Sequence, residues 1–327
     1  MKICIVGSGK IAREVIGVLR TQAEGIGITG LYSHSNSEAA NRLAQENGIP
    51  VVYDDYGRLL KEDHAHFLYI ALVNSAHYGY VKQALIAGRH VIVEKPFCLD
   101  YGQARELVDL ARSRHLYLLE AVSLLHMPNF RAVQAELDGI APIRLVQCNY
   151  SQYSSRYDRY LQGDVAPAFN PELGGGALMD LNVYNLNAVV GLFGLPARAS
   201  YHANRGFNGV DTSGIAMFAY DGMQVTCSAA KDCAGPSFIL IEGERGTIRV
   251  VGAPNEFAQV EITKRGEAPR VINDNRYPSR LTHEFMQFKA IWERQDYALM
   301  SHYQDVSLQV MQVLDALKRD SKSYFIK

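Results

Sequence analysis

The chain has 327 residues, 48% hydrophobic and 20% charged, an ordinary composition for a globular protein and long enough for two hydrophobic cores. Lys and Arg total 33 against 34 Asp and Glu, and the only basic pair of note is Lys264-Arg265, so nothing suits a nucleic-acid or anionic-membrane partner. No signal peptide or membrane span is expected, since the first residues run directly into a strand-like stretch and no apolar run comes near the roughly 20 residues that cross a bilayer; five scattered cysteines form neither CxxC pairs nor a cluster with histidine. A cytoplasmic protein without a metal site is expected.

Strand and helix signals alternate through the first third. Apolar strand runs at 3–6, 28–32, 51–53, 67–72, 90–93 and 116–119 are separated by amphipathic stretches at about 11–22, 35–47, 76–88 and 100–114. Ser35-Asn36-Ser37 offers capping oxygens for the second of these helices. Apolar runs buried on both faces, with helices between them, predict a parallel sheet with right-handed crossovers. The pattern changes after Glu120. A helix at about 128–137, a long strand at 143–150, a tyrosine-rich segment and a helix opened by glycines near Ala177 come next. Successive strands then run from about 198 to 263, punctuated by Asn208-Gly209, Asp221-Gly222 and Gly252-Ala253-Pro254, and helices at about 281–293 and 302–318 close the chain. The predicted fold is an α/β Rossmann domain over 1–120 followed by an α+β domain over 121–327 with an open, mostly antiparallel sheet.

Gly7-Ser8-Gly9-Lys10-Ile11-Ala12 fits G-x-G-x-x-A at the first strand–helix junction. Gly7 permits the tight turn, Gly9 lets a pyrophosphate approach the backbone, and Ala12 lets helix and strand pack closely. Unpaired N–H groups at the helix start, by Lys10 and Ile11, suit the phosphates. The second strand ends in Tyr32-Ser33-His34-Ser35, without the acid that would hold ribose hydroxyls and repel a 2′-phosphate. Ser33 and His34 therefore favour NADP over NAD, and Ser35 reads equally well as a helix cap.

Two further segments fall at strand ends of the same sheet: Asn74-Ser75-Ala76-His77, and Val93-Glu94-Lys95-Pro96. Downstream lies Gly174-Gly175-Gly176-Ala177-Leu178-Met179-Asp180-Leu181-Asn182-Val183-Tyr184. With the phosphate loop and Glu120-Ala121, their order and spacing resemble the glucose–fructose oxidoreductase / inositol dehydrogenase / rhizopine-catabolism family over essentially the whole chain. The resemblance implies a nicotinamide dinucleotide, substrate bound between two domains, and a free sheet face that serves oligomer formation, hence a dimer or tetramer. It implies that Lys95 and Pro96 contact the nicotinamide ribose and the substrate, often with a cis bond before the proline. It also implies that Asn74, His77 and Glu94 lie on the cofactor side.

If the stretch after Gly176 is helical, Asp180 and Tyr184 stand one turn apart on one face. Many members of the family carry histidine where this chain has Tyr184. A tyrosine ionises near pH ~10, and an ammonium such as Lys95 would lower that value. The expected chemistry is hydride transfer between nicotinamide and a sugar, cyclitol or related polyol or aldehyde. Tyr184 would move the hydroxyl proton, Lys95 polarise the oxygen, and Asp180 orient the substrate hydroxyl or the lysine. Asn182 stands where many relatives have glycine and is expected to narrow the pocket or add a polar contact. Tyr150, Tyr153, Tyr157 and Tyr160 are candidates to line a sugar cleft, with His126 and Asn187 as further polar candidates and Arg156 and Lys231 as partners for an acidic substrate. Two other functions fit the same scaffold: a non-catalytic dinucleotide-sensing regulator and a cofactor-assisted glycoside-cleaving enzyme.

Overall fold

The computed structural model describes residues 1–34 and 37–320. Contacts divide the chain into two units, the first of Met1–Ala121 and Tyr277–Ser307, the second of Val122–Arg276 and Leu308–Lys327.

In the first unit, β1 (Lys2–Val6), β2 (Gly27–Tyr32), β3 (Val52–Tyr53), β4 (Phe67–Ile70), β5 (His90–Glu94) and β6 (Leu118–Ala121) form one sheet in the order β3-β2-β1-β4-β5-β6. Every pairing is parallel, the doubly wound arrangement the sequence predicts. All of β4 and Val91–Glu94 of β5 are buried, and up to Val93 both read as apolar runs. The crossovers carry α1 (Lys10–Thr21), α2 (Ser37–Glu46), α3 (Tyr56–Glu62), α4 (His77–Ile86) and α5 (Tyr101–Ser113). Helix α1 buries Ala12, Val15, Ile16 and Leu19, a stripe at helical spacing that faces the sheet. Helix α3 is absent from the sequence reading. Its seven residues are too few to show a period, and its one signal is Asp55, whose side chain caps it by accepting from the Arg58 amide at 2.5 Å. Ser35 and Asn36, two of the expected caps of α2, lie outside the described residues.

The expected division at residue 120 puts all later residues in the second domain, and here the structure differs. Leu281, Phe285, Phe288 and Ile291, on the helix Arg280–Arg294, are buried in one cluster with Ile3, Phe67 and Tyr69 of the first sheet. An apolar helical stripe shows that a helix packs against something; its place in the sequence does not say which core. The final helix, Tyr297–Asp320, begins five residues before the expected 302 because Asp296 caps it, accepting from the Leu299 amide at 3.0 Å.

The second unit is built on an eight-stranded sheet. Its strands are β7 (Ile143–Ser151), β8 (Arg198–Arg205), β9 (Asp211–Tyr220), β10 (Met223–Ala230), β11 (Phe238–Gly243), β12 (Gly246–Val251), β13 (Gln259–Lys264) and β14 (Arg270–Ile272). They lie in the order β14-β13-β12-β11-β7-β10-β9-β8. Only β7 and β10 pair in parallel, so the sheet is mostly antiparallel as expected; the three-residue β14 is the one strand the sequence reading lacks. Helix α6 (Pro128–Ile140) packs on β12 and β13, and α8 (Val183–Phe193) on β7 and β10, while the short α7 (Tyr157–Leu161) sits in the tyrosine-rich segment. Along β10, Met223, Val225, Cys227 and Ala229 are buried and Gln224, Thr226 and Ser228 are not, the alternation of a sheet covered on one face.

Candidate active-site residues

Because the six strands of the first sheet are parallel, their carboxyl ends share one edge. Along it stand Ser33 after β2, Gly7 after β1, Asn74 after β4 and Lys95 after β5. The order reverses between β1 and β4, where doubly wound sheets take their ligands. Gly7 has φ +123°, and a Cβ there would collide with the Ala71 carbonyl oxygen of the adjacent strand end, so no other residue fits. Gly9 is different: it has ordinary dihedrals, and a Cβ built on it meets nothing within 4 Å. It is the N-cap of α1 and no side chain caps the helix there, which leaves the first amides of α1 directed past a bare backbone. These features fit a dinucleotide pyrophosphate. Ser33 is buried and its hydroxyl lies 3.1 Å from that of Ser8, while His34 is exposed. The Arg13 side chain, exposed on the first turn of α1, donates from Nε to the Ser8 carbonyl at 3.1 Å. Arg13 was not singled out from the sequence; an arginine one turn into the helix after a phosphate loop is the signal that could have found it.

Lys95 is half-buried and the Lys95–Pro96 peptide bond is cis. Asn74 opens a short 3-10 turn at the neighbouring strand end and is partly exposed. Two residues expected on the cofactor side are buried. His77 is fully buried, with Nδ1 2.9 Å from the Pro96 carbonyl oxygen and Nε2 3.2 Å from that of Leu72. Its ring ties the β4 end to the Lys-Pro turn and has no surface left for a ligand. Glu94 is 6% exposed and accepts a hydrogen bond from the Tyr69 hydroxyl at 2.5 Å and one from the Lys95 amide at 3.3 Å. Burial pushes its carboxyl pKa up, against the pull of Tyr69 and Lys95. Both belong to the support beneath Lys95. Neither burial is legible in the sequence, because the pattern of a buried parallel strand does not tell which strand-end side chains turn inward.

In the second unit the glycine cluster is explained by close packing. A Cβ on Gly175 would lie 2.6 Å from the Pro167 carbonyl oxygen, and Gly176, with φ +116°, would collide with the Asp211 carboxylate. That carboxylate accepts from the Leu178 amide at 2.6 Å and from the Tyr201 hydroxyl at 2.6 Å, anchoring the start of the helix. The first stretch, Leu178–Asn182, is a π turn that passes into α8 at Val183. A π turn takes more residues per revolution than an α turn, so Asp180 and Tyr184 fall slightly short of the one-turn alignment expected from α geometry.

Asp180 keeps about a third of its side-chain surface (34%) and bonds through Oδ2 to Lys231 Nζ at 2.8 Å; the Lys231 side chain is 3% exposed. Lys231 is therefore no partner for an acidic substrate. A sequence signal existed: the odd-numbered residues of β10 point inward, and 231 continues that phase. Asn182 does not reach toward a substrate either. It is fully buried, donates to the Cys227 carbonyl at 2.9 Å and accepts from Asn185 Nδ2 at 2.9 Å, fastening the helix start to β10.

Tyr184 is 8% exposed, and its ring centroid lies 5.9 Å from that of the buried Tyr150. The rest of the tyrosine-rich segment mostly packs on itself. Tyr160 stacks on Phe169 and Phe207 at 4.9 and 4.5 Å and donates to Asn208, Tyr157 leans on Tyr160, and Tyr153 donates to Asp158. His126 is buried, and burial with nearby Arg131 brings its pKa down to about 3. Asn187 is buried and bonds its own helix at Val183, while Arg156 is exposed. Among the described residues no group of histidine, cysteine or acidic side chains could hold a metal ion, and no helix is long and apolar enough to cross a membrane.

Residues 1–121 match the family GFO_IDH_MocA, described as an oxidoreductase family with an NAD-binding Rossmann fold, and residues 137–249 match the GFO/IDH/MocA C-terminal domain. The chain belongs to this family and is a nicotinamide-dinucleotide-dependent oxidoreductase. It is 32% identical over 238 residues to scyllo-inositol 2-dehydrogenase (NADP(+)) IolU of Bacillus subtilis, covering 73% of this chain and 72% of that one. It is 27% identical over 270 residues to trans-1,2-dihydrobenzene-1,2-diol dehydrogenase of Sus scrofa, covering 80% and 77%. Its fold is similar to that of KijD10, a 3-ketoreductase from Actinomadura kijaniata in complex with NADP and TDP-benzene. That likeness has a TM-score of 0.82 at 23% identity and covers 98% of this chain and 97% of the other.

Proposed function

We propose that this protein transfers a hydride between NADP and a ring carbinol or ketone of a sugar or cyclitol. Bound nicotinamide supplies or accepts the hydride at C4. Lys95, with its ammonium, polarises the substrate oxygen. Tyr184 gives up or takes the hydroxyl proton. Asp180 orients the substrate hydroxyl. Gly9 and the amides of α1 hold the pyrophosphate, with Lys10 and Ile11 at the helix start, and Asn74 stands on the nicotinamide side. The observation that carries this reading is that the phosphate loop at Gly7 and the Lys95 turn project from one edge of a parallel sheet, on either side of the strand-order reversal. The preference for NADP is supported by the hydroxyls of Ser8 and Ser33, by exposed His34, and by the absence of an acid in Tyr32-Ser33-His34. The named activity of the Bacillus subtilis relative, on scyllo-inositol with NADP(+), supports both choices. A homo-oligomer is part of the same reading, supported by Leu145, Ile215 and Met217, which are 46–48% exposed on the sheet of the second unit.

The test is turnover against a panel of inositols, aldoses and ketoses with each dinucleotide. Lys95→Ala and Tyr184→Phe should each lower kcat by about 10²–10⁴, the usual span for a positioned acid or base, while NADP binding measured by calorimetry persists. Wild-type rates in both variants would remove these residues from the reaction. Binding without turnover on any substrate would instead favour a dinucleotide sensor.

A further inference from the structure

We infer that Lys231 is a positioning residue, which orients Asp180 from behind without touching substrate. The inference rests on the reading that Asp180 serves the reaction. Lys231 follows β10 directly and its side chain is 3% exposed. Its ammonium donates to Asp180 Oδ2 at 2.8 Å and to the Ala168 carbonyl at 2.6 Å, and lies 4.5 Å from the Phe169 ring centroid. A carboxylate, a carbonyl and an aromatic face thus take the place of the water an ammonium loses on burial.

The backbone of Lys231 is pinned as firmly as its side chain. Its amide donates to the Thr212 carbonyl at 2.8 Å, and its carbonyl accepts from the Ser154 amide at 2.9 Å. One residue therefore joins the start of β9, the loop after β7, the turn at Ala168-Phe169 and the π turn that carries Asp180. Such a buried ammonium is an expensive way to hold a fold together. Replacing a buried ion pair by apolar residues is often neutral or stabilising, whereas removing one partner leaves a stranded charge. What the pair supplies that a methionine would not is a fixed direction for the carboxylate. The two partners are unequal in exposure, 34% for Asp180 and 3% for Lys231, so the pair presents an anion outward and hides its cation.

The test is a double-mutant cycle of Lys231→Met and Asp180→Asn, read by kcat, KM, the pH dependence of kcat, and thermal unfolding. Lys231→Met should lower kcat about tenfold or more while cofactor KM moves within about twofold. Its acidic limb should shift to higher pH, because Asp180 loses its cation, as does the buried Asp211 carboxyl, whose pKa Lys231 pulls down against burial. In the Asp180→Asn background the same change should cost little further, since the two residues act as a unit. If Lys231→Met does not fold, Lys231→Arg carries the same cycle, because it keeps the charge while displacing the hydrogen bond. Full additivity with Asp180→Asn, or wild-type kcat and pH profile in a folded Lys231 variant, overturns the inference. Wild-type kcat in Asp180→Asn alone overturns the underlying reading of Asp180, a different result from either.

Discussion

His77 and Pro96 are joined across two strand ends: the imidazole Nδ1 lies 2.9 Å from the proline carbonyl oxygen while Nε2 reaches the Leu72 carbonyl at 3.2 Å. Burial holds the His77 pKa below the usual imidazole value, and a neutral ring can donate to only one of these two carbonyls. His77→Ala would leave a buried carbonyl without a donor, at a cost of about 1–3 kcal/mol. It should also release the turn that aims Lys95, so kcat should fall along with the urea midpoint. A variant with an unchanged midpoint and unchanged kcat would show that the ring holds nothing in place.

The two glycines of the phosphate loop should respond differently to alanine. Gly7→Ala meets both a positive φ and the Ala71 carbonyl, so it should lower stability by about 2 kcal/mol or more and spoil the loop. Gly9→Ala meets nothing within 4 Å in the protein itself. Its added methyl should intrude only on a bound pyrophosphate, weakening dinucleotide binding about tenfold or more, a loss of ~1.4 kcal/mol, without lowering the unfolding midpoint. Equal affinity of Gly9→Ala and wild type would place the dinucleotide elsewhere.

Cofactor choice can be tested on exposed residues without disturbing the core. His34→Asp puts a carboxylate where the second strand ends, and it should raise KM for NADP about tenfold or more while KM for NAD changes little. Arg13→Ala, which removes the guanidinium held against Ser8, should act in the same direction. Parallel changes for both dinucleotides would mean that these side chains do not read the 2′ position.

Buried carboxyls and buried histidines give opposite pH signatures. Glu120 has its pKa raised to about 7, mainly by burial, despite the Ser307 hydroxyl that donates to it at 2.6 Å. The native state holds this proton more tightly than the unfolded chain. Its contribution to stability is therefore full below about pH 4.5 and lost as the pH rises through about 7, up to about 3 kcal/mol. Burial raises Glu94 and Glu284 in the same direction. His126, with a folded pKa of about 3, works the other way: its contribution is present above about pH 6.5 and lost as the pH falls. Glu120→Gln should therefore be relatively more stable than wild type at pH 8 than at pH 5 in urea unfolding. The same stability difference at both values would show that the carboxyl is solvated.

The residues that carried information in the sequence were those whose role is local. Apolar runs bounded by glycine located the strands, Asp100 and the phosphate-loop glycines marked helix starts, and the period-2 pattern of β10 was legible in its letters. Lys95, Asp180 and Tyr184 were singled out as candidates by the resemblance of their motifs to a known family. The short α3, with too few residues for a period, was not.

What the sequence determined by itself was the kind of backbone over the longer stretches and the parallel sheet that brings Gly7, Ser33, Asn74 and Lys95 to one edge, because backbone geometry and side-chain periodicity act over a few residues. Tertiary structure alone decided that the helix Arg280–Arg294 returns to the first core, that His77, Glu94 and Asn182 turn inward, and that Lys231 stands behind Asp180. Those outcomes depend on which distant carbonyl or carboxylate a buried polar group must find once water is excluded, and residues far apart in the chain supply it.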